Sequence, residues 1–397
     1  MTSPPSTGAA GKPATFIPID EYRRPPLPTE ETFRRLYSKI LAMVQRSKPD
    51  PIMAEEQLQK ATLELLDDVV APPAAGPVIG ELQATLGPWL AEKKPVRHIA
   101  TIVLPPCDEN GIIETWARRH GHGIVEAPAR GDLLSSFGDP VLPDLTGEGP
   151  LVIPRLERWF LRHRDGLKTV RGLLAAIDVV DRQVVVGCNS WAFEFLSMAV
   201  GANMILPEGK TFQAFDEMRL YDWISELSQA EESTNITFRL PQNGKNVMDL
   251  DEDGTLRADT FKTLAGRSLG IPWVAWHMWR RSLRLGSDPD LEIETDADGR
   301  SETDEQVLWV AALDEYVLPA DRDQTVLLVL HALILHGGLT ADELRLVLPS
   351  VGESNVVSAL ISAGFVQRHD TLLKCRAAAY PAIREGLMSA GFPMDRL

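Results

Sequence analysis

From residue 98 to residue 227 the sequence alternates short, nearly unbroken apolar runs with longer amphipathic stretches. Few folds accommodate that alternation. "HIATIVLPP" (98–106) reads as a buried strand, and "IIETWARRHG" (112–121) as a helix stopped by glycine. "GIVEAP" (123–128) is a second strand. "PLVIPRLERWF" (150–160) begins as a third and leads into a helical pattern through Leu167, Val170 and Leu174. "RQVVVGCNSWAFEFLSMAV" (182–200) is strand, turn and helix. "NMILPEGKTFQAF" (203–215) gives a last strand and loop before the helix of residues 216–227. Buried strands separated by helices imply a parallel sheet covered on both faces. Such sheets hold ligands beyond the carboxyl ends of their strands. The candidate functional loops are therefore 105–111, 154–158 and 187–191.

The rest of the chain divides around this region. Residues 1–28, rich in Pro, Ser and Gly, read as a disordered tail, in which "RRPPLP" (23–28) suits plain flexible chain better than an extended partner-docking segment. Residues 29–97 read as a helical region: Phe33, Leu36, Ile40, Leu41 and Val44 recur at helical spacing, as do Leu58, Leu65, Leu66 and Val69. Residues 228–286 follow as a helical lid. Residues 287–306 form an acidic linker, whose stretch from Asp288 to Glu305 carries nine acids and one arginine, half of the net charge of −16. That charge opposes non-specific binding to nucleic acid or an anionic membrane. Residues 307–397 read as helix, turn, helix, turn, third helix (352–363), hairpin (365–376) and closing helix, the succession of a winged helix. No apolar run approaches the roughly 18 residues of a membrane helix. Cys107, Cys188 and Cys375 are odd in number and widely spaced, which suggests neither a metal motif nor a disulfide framework and fits a reducing cytoplasm.

A P-loop-like sheet, a lid and a winged helix, in that order, resemble the AAA+ and STAND group of P-loop ATPases over residues 98–390. "LVIPRLERWFL" stands where that family has a strand ending in paired acids. "VVVGCNSWAF" resembles the strand bearing the sensor residue, here Asn189. Gly270-Ile271-Pro272 resembles the lid motif that packs against the nucleotide's base. The resemblance would place a nucleotide, if one is held, against Asn110 and Gly111 of the first loop, Glu157 and Asn189 at the strand ends, and Pro272 and Arg281 of the lid.

The catalytic parts of the family are missing. A P-loop needs glycines, so that backbone N–H groups wrap the phosphates, and a lysine for the β and γ oxygens. Here residues 105–112 are "PPCDENGI", with one glycine, no lysine and two carboxylates. Like charges about 4 Å apart repel by about 4 kcal/mol at an effective dielectric near 20. A helix N-terminus returns only about 0.3–1 kcal/mol. Asp108 fits instead as a helix cap, and Glu109 suits the first helical turn. Pro154-Arg155 replaces the metal-binding aspartate and catalytic acid.

Other clusters have plainer readings. His120 and His122 sit at a helix stop, and His331 and His336 are spaced as structural residues. Asp249 to Gly254 matches only the first half of a calcium loop, with Thr260 where a glutamate belongs. Trp273, Trp276 and Trp279 at helical spacing suit packing better than base stacking. No catalytic residue, metal site or cofactor is expected. The sequence points to a non-catalytic, ATPase-like regulatory or assembly module that binds a protein partner. Two alternatives stand beside it: an ATP-binding switch, and a DNA-binding regulator acting through the winged helix. The second meets a third helix without lysine or arginine.

Overall fold

The computed structural model describes residues 14–28, 58–60, 76–134, 142–229, 235–286, 305–318 and 324–397. Within them the chain runs β1 (Ile17–Pro18), β2 (Leu58–Lys60), α1 (Gly76–Leu90), β3 (Ile99–Leu104), α2 (Ile112–Arg119), β4 (Gly123–Ile124), β5 (Leu151–Ile153), α3 (Lys168–Val179), β6 (Val184–Asn189), α4 (Ser190–Val200), β7 (Lys210–Thr211) and α5 (Glu217–Gln229). It continues through β8 (Asn235–Arg239), α6 (Thr260–Arg267), α7 (Pro272–Ser282), β9 (Leu283–Gly286) and β10 (Glu305–Val310). The last part holds α8 (Gln324–His336), β11 (Leu339–Thr340), α9 (Ala341–Val347), α10 (Val356–Ser362), β12 (Val366–His369), β13 (Leu372–Cys375) and α11 (Tyr380–Ser389).

The architecture is α/β, with a mostly parallel central sheet flanked by helices. Its strands lie in the order β1-β7-β3-β6-β5-β4, all parallel except β1, which pairs antiparallel with β7. The chain leaves β3 for the far edge at β4 and works back through β5 to β6, which pairs with β3. Its next strand, β7, joins the other side of β3. The direction of winding thus reverses at β3, the kind of crossover where open α/β sheets bind ligands. Every residue of β6 is buried, as its apolar run requires. Gly187 makes the close approach of β6 to β5 feasible: a Cβ there would stand 2.3 Å from the Pro154 carbonyl oxygen and 2.4 Å from Ile113 Cδ1. Asn189 caps α4, and Gly201 closes it in the left-handed conformation, φ 69°.

The lid expectation needs correction. Helices α6 and α7 are present, but residues 228–286 also supply β8 and β9 to a second sheet of order β2-β9-β10-β8. Alternation is hard to read in strands of four to six residues, and β8 pairs with the distant β10. Strand β10 also begins at Glu305, inside the expected linker. Trp279 stacks on Phe261 and tilts against Phe238, joining α7, α6 and β8 through one buried indole. Trp273 and Trp276 are buried as well, so the tryptophans form core.

The expected tail differs too. Residues 14–28 are built into the fold: Phe16, Ile19 and Tyr22 are buried, and the Tyr22 hydroxyl donates to the Leu269 carbonyl at 2.9 Å. Pro25, Pro26 and Leu27 lie against Gly266 and Gly270. Three apolar side chains in a polar, proline-rich segment suffice to seat it. The helical patterns at 33–44 and 65–69, the start of the tail and the linker from 287 to 304 fall outside the described residues. So do residues 1–13, 135–141, 230–234 and 319–323.

Residues 324–389 form helix, strand, helix, helix and hairpin, then a closing helix. Their three-stranded antiparallel sheet has the order β11-β13-β12. Thr340 and Glu343 form a reciprocal capping box at the start of α9.

Candidate functional site

Strands β3, β5 and β6 end together, and their loops form one side of a cavity of about 60 Å³. Pro105, Pro106, Cys107, Asp108, Glu109 and Gly111 come from the first loop, Pro154, Arg155 and Glu157 from the second. Cys188 and Asn189 close the strand ends. The opposite side belongs to the last part of the chain: Leu333, Ile334 and Gly337 at the end of α8, and Lys374 and Cys375 on β13. A water needs about 10–15 Å³ by this measure, so the space holds roughly four waters. Of the expected site residues, the fold brings Gly111, Glu157 and Asn189 together here. Asn110 lies on the exposed turn beside it. Pro272 opens α7 without reaching the cavity, and Arg281 is paired with Asp314 at 2.9 Å, under Tyr316.

The first loop is closed by its own aspartate. Asp108 Oδ1 accepts the Asn110 backbone N–H at 2.8 Å, and Oδ2 accepts that of Ile112 at 3.0 Å. These are N–H groups at the beginning of α2, which a P-loop would turn towards an anion. Gly111, at φ 56°, makes the left-handed turn that folds the carboxylate back. Burial raises the Asp108 carboxyl, while Arg155 and the N–H donors act against that rise. The loop is fixed from α7 as well, since Trp273 Nε1 donates to the Pro106 carbonyl at 2.9 Å.

Asn189, at the tip of β6, is equally committed. Its Oδ1 accepts the Ala192 N–H at 2.8 Å, and its Nδ2 donates to the Ile334 and Leu335 carbonyls, each at 3.2 Å. Its own N–H donates to Glu157 Oε2 at 3.2 Å. Of the last carbonyls of α8, those of Leu333 and Ile334 accept the Gly338 and Gly337 N–H groups, and the rest need side-chain donors. Asn189 supplies two donors, and the Arg130 guanidinium supplies others to His336 and Gly338. Glu109 completes the seam: Gln367 Nε2 on β12 donates to it at 2.6 Å, and His277 Nε2 lies 3.3 Å away. The His277 contact, with Gln367 behind it, holds the Glu109 carboxyl down at about 2, against burial. Glu157 is the contrary case, raised by burial, with Arg155 opposing.

Two features were not legible as site residues in the sequence. All three cysteines line this cavity, from three separate segments. Burial pushes the Cys107 thiol up to about 12 and raises Cys188 and Cys375, so they stand as thiols rather than thiolates. The second feature is a set of cations. Arg130, Arg155, Arg158 and Lys374 line a smaller recess of about 30 Å³ that shares Arg155, Glu157, Gly337 and Lys374 with the cavity. Burial lowers the Lys374 ammonium, and the neighbouring Arg155 charge adds to it. Among the described residues no group of three or more His, Cys, Asp and Glu side chains is disposed to hold a metal, and no helix is long and apolar enough to cross a membrane.

No protein-family model matches the sequence, and no curated protein matches it. Among solved structures the chain is similar to Cdc6p from Pyrobaculum aerophilum, at 12% identity over 82% of this chain and 99% of that one, with a TM-score of 0.26. A likeness at that TM-score carries no argument about fold or function.

Proposed function

We propose that this chain is a non-hydrolysing, ATPase-like module of AAA+ or STAND type that works through protein contacts, as a regulatory or assembly component. The observation that carries the reading is Asp108, whose carboxylate takes the N–H donors of the first loop that a nucleotide's phosphates would need. The absence of a lysine from 105–112 and the Pro154-Arg155 pair support it. A phosphate chain and a magnesium ion would each meet the wrong partners.

The order of elements in 324–389 supports a winged helix for that part. Its third helix, α10, turns Ser358, Ala359 and Ser362 to solvent, with no lysine or arginine among its residues. Major-groove reading relies on Arg, Lys, Asn or Gln side chains. Meanwhile Asn189, Arg130 and Glu109 join this part to the sheet. Intramolecular docking and protein contact therefore suit it better than DNA. The test is purified protein incubated with ATP, with and without Mg²⁺. The expected result is no turnover above the blank. Mg²⁺-dependent hydrolysis that disappears in Glu157→Gln or Asn189→Ala would overturn the reading.

A further inference from the structure

Cations at protein surfaces usually face water, and cations inside usually face carboxylates. In the recess between loop 154–158 and strand β13, Arg158 is exposed, but Arg155 and Lys374 fit neither pattern. The recess is lined by Arg130, Arg155, Arg158 and Lys374, with Glu157 as its single acid. Arg130 is committed to the carbonyls of His336 and Gly338 and to Glu343. Glu157 is committed to the Asn189 N–H. The side chains of Arg155, Arg158 and Lys374 make no hydrogen bond or ion pair among the described residues. Arg155 and Lys374 are nonetheless half-buried, and each also borders the larger cavity. Asp108 and Glu157 act on Arg155, and Glu109 and Asp108 on Lys374, only through space, so three like charges from two distant stretches of sequence are gathered with no carboxylate in ion-pair contact.

We propose that this recess binds a phosphoryl oxyanion, gripped by Arg155 and Arg158 from the sheet side and by Lys374 from β13. Guanidinium groups offer planar paired donors that match phosphate oxygens, and the ammonium adds a point charge. The site is separate from the beginning of α2, whose donors Asp108 occupies. The recess, about 30 Å³, suits one tetrahedral group, with anything attached to that group lying outside it. A ligand there would hold β13 to the β5 loop, so occupancy would tighten the seam between the sheet and the last part of the chain. The inference goes beyond the functional reading above and does not require it. ATP turnover would overturn that reading and leave this one standing.

The experiment uses the full chain. Thermal unfolding is followed at pH 8 in sodium phosphate and in sodium chloride of matched ionic strength, with calorimetric titration of inorganic phosphate and pyrophosphate. The expected result is a saturable rise in Tm with phosphate beyond that with chloride. Arg155→Gln with Lys374→Met should weaken phosphate affinity by at least about tenfold. In chloride the double variant should keep one cooperative unfolding transition, any lower Tm there reporting the loss of Arg155 beside Asp108 and Glu157. That comparison separates lost binding from lost folding. Arg368→Gln, a hairpin cation outside the recess, should keep the full response. ATP without Mg²⁺ identifies the source: a larger shift than phosphate, lost in the same double variant, assigns the phosphoryl group to a nucleotide, and a smaller one assigns it to free phosphate. An equal shift in chloride, a response kept by the double variant, or one lost equally in Arg368→Gln would overturn the proposal.

Discussion

The two sides of the cavity treat their polar groups in opposite ways. On the side built from the beginning of α2 and the tip of β6, donors meet acceptors within the protein: Asp108 takes N–H groups, and Asn189 supplies both its own helix and α8. On the side built from loop 154–158 and β13, the side chains of Arg155, Arg158 and Lys374 have no such partners among the described residues. The first side is where a P-loop ATPase would do its chemistry, and here it works as a joint. The second carries Arg155 where the resemblance would put an acid, and its three cations make no side-chain hydrogen bond or ion pair among the described residues. Position in a fold therefore does not locate a binding site; unspent donors do.

The comparison breaks first if the satisfied side is not holding the seam. Asn189→Leu keeps the approximate volume but removes the α4 cap and two donors to α8. A lost cap costs about 1 kcal/mol and an orphaned buried acceptor about 1–3 kcal/mol. The expected destabilisation is about 2–4 kcal/mol, read as a lower urea midpoint at unchanged slope. A cost under about 1 kcal/mol would mean that the last carbonyls of α8 reach water, and that the joint lies elsewhere.

Asp108→Ala tests the same side more gently. The N–H groups of Asn110 and Ile112 lose their acceptor, but this turn borders solvent and water can replace it. A loss of about 1 kcal/mol is expected, together with faster amide exchange at 112–115. Unchanged exchange there would show that the carboxylate is not the cap of α2. In that case its occupation of the phosphate position would lose its meaning.

The contrast between the two sides also marks the limit of the sequence. Residues 98–200 were readable because apolar runs such as "VVVGCN" and "IATIVL" admit few conformations and alternate with helices of clear period. Asp108 could be read as a cap because its effect is local, within four residues. Arg155 and Lys374 could be read only as a departure from one motif and a cation of a hairpin. Their meeting bridges a separation of 219 positions and depends on α8 docking against Asn189. The same holds for the three cysteines, whose spacing gave no hint of a shared cavity. Residues 14–28 failed for another reason. Their composition resembles a tail, and composition does not register that Phe16, Ile19 and Tyr22 find a groove. The second sheet was hidden because its strands are short and pair across an acidic stretch.

Glu109 lies between the two sides and gives the smallest expected effect. Its side chain is 35% exposed, so its contact with His277 is partly screened by water. Glu109→Gln should therefore cost under about 1 kcal/mol at pH 7. The signature lies in acid. A carboxyl held at about 2 in the fold, against an ordinary 4.5, stabilises the native state fully above 4.5. That contribution fades as pH falls through 4.5 towards 2, because the unfolded chain takes up the proton first. The parent should lose Tm across that window more steeply than Glu109→Gln, which has no proton to gain there. Parallel profiles would show that Glu109 is not held down in the native state. The seam would then rest on Asn189 and Arg130 alone, with β12 only lying against the first loop.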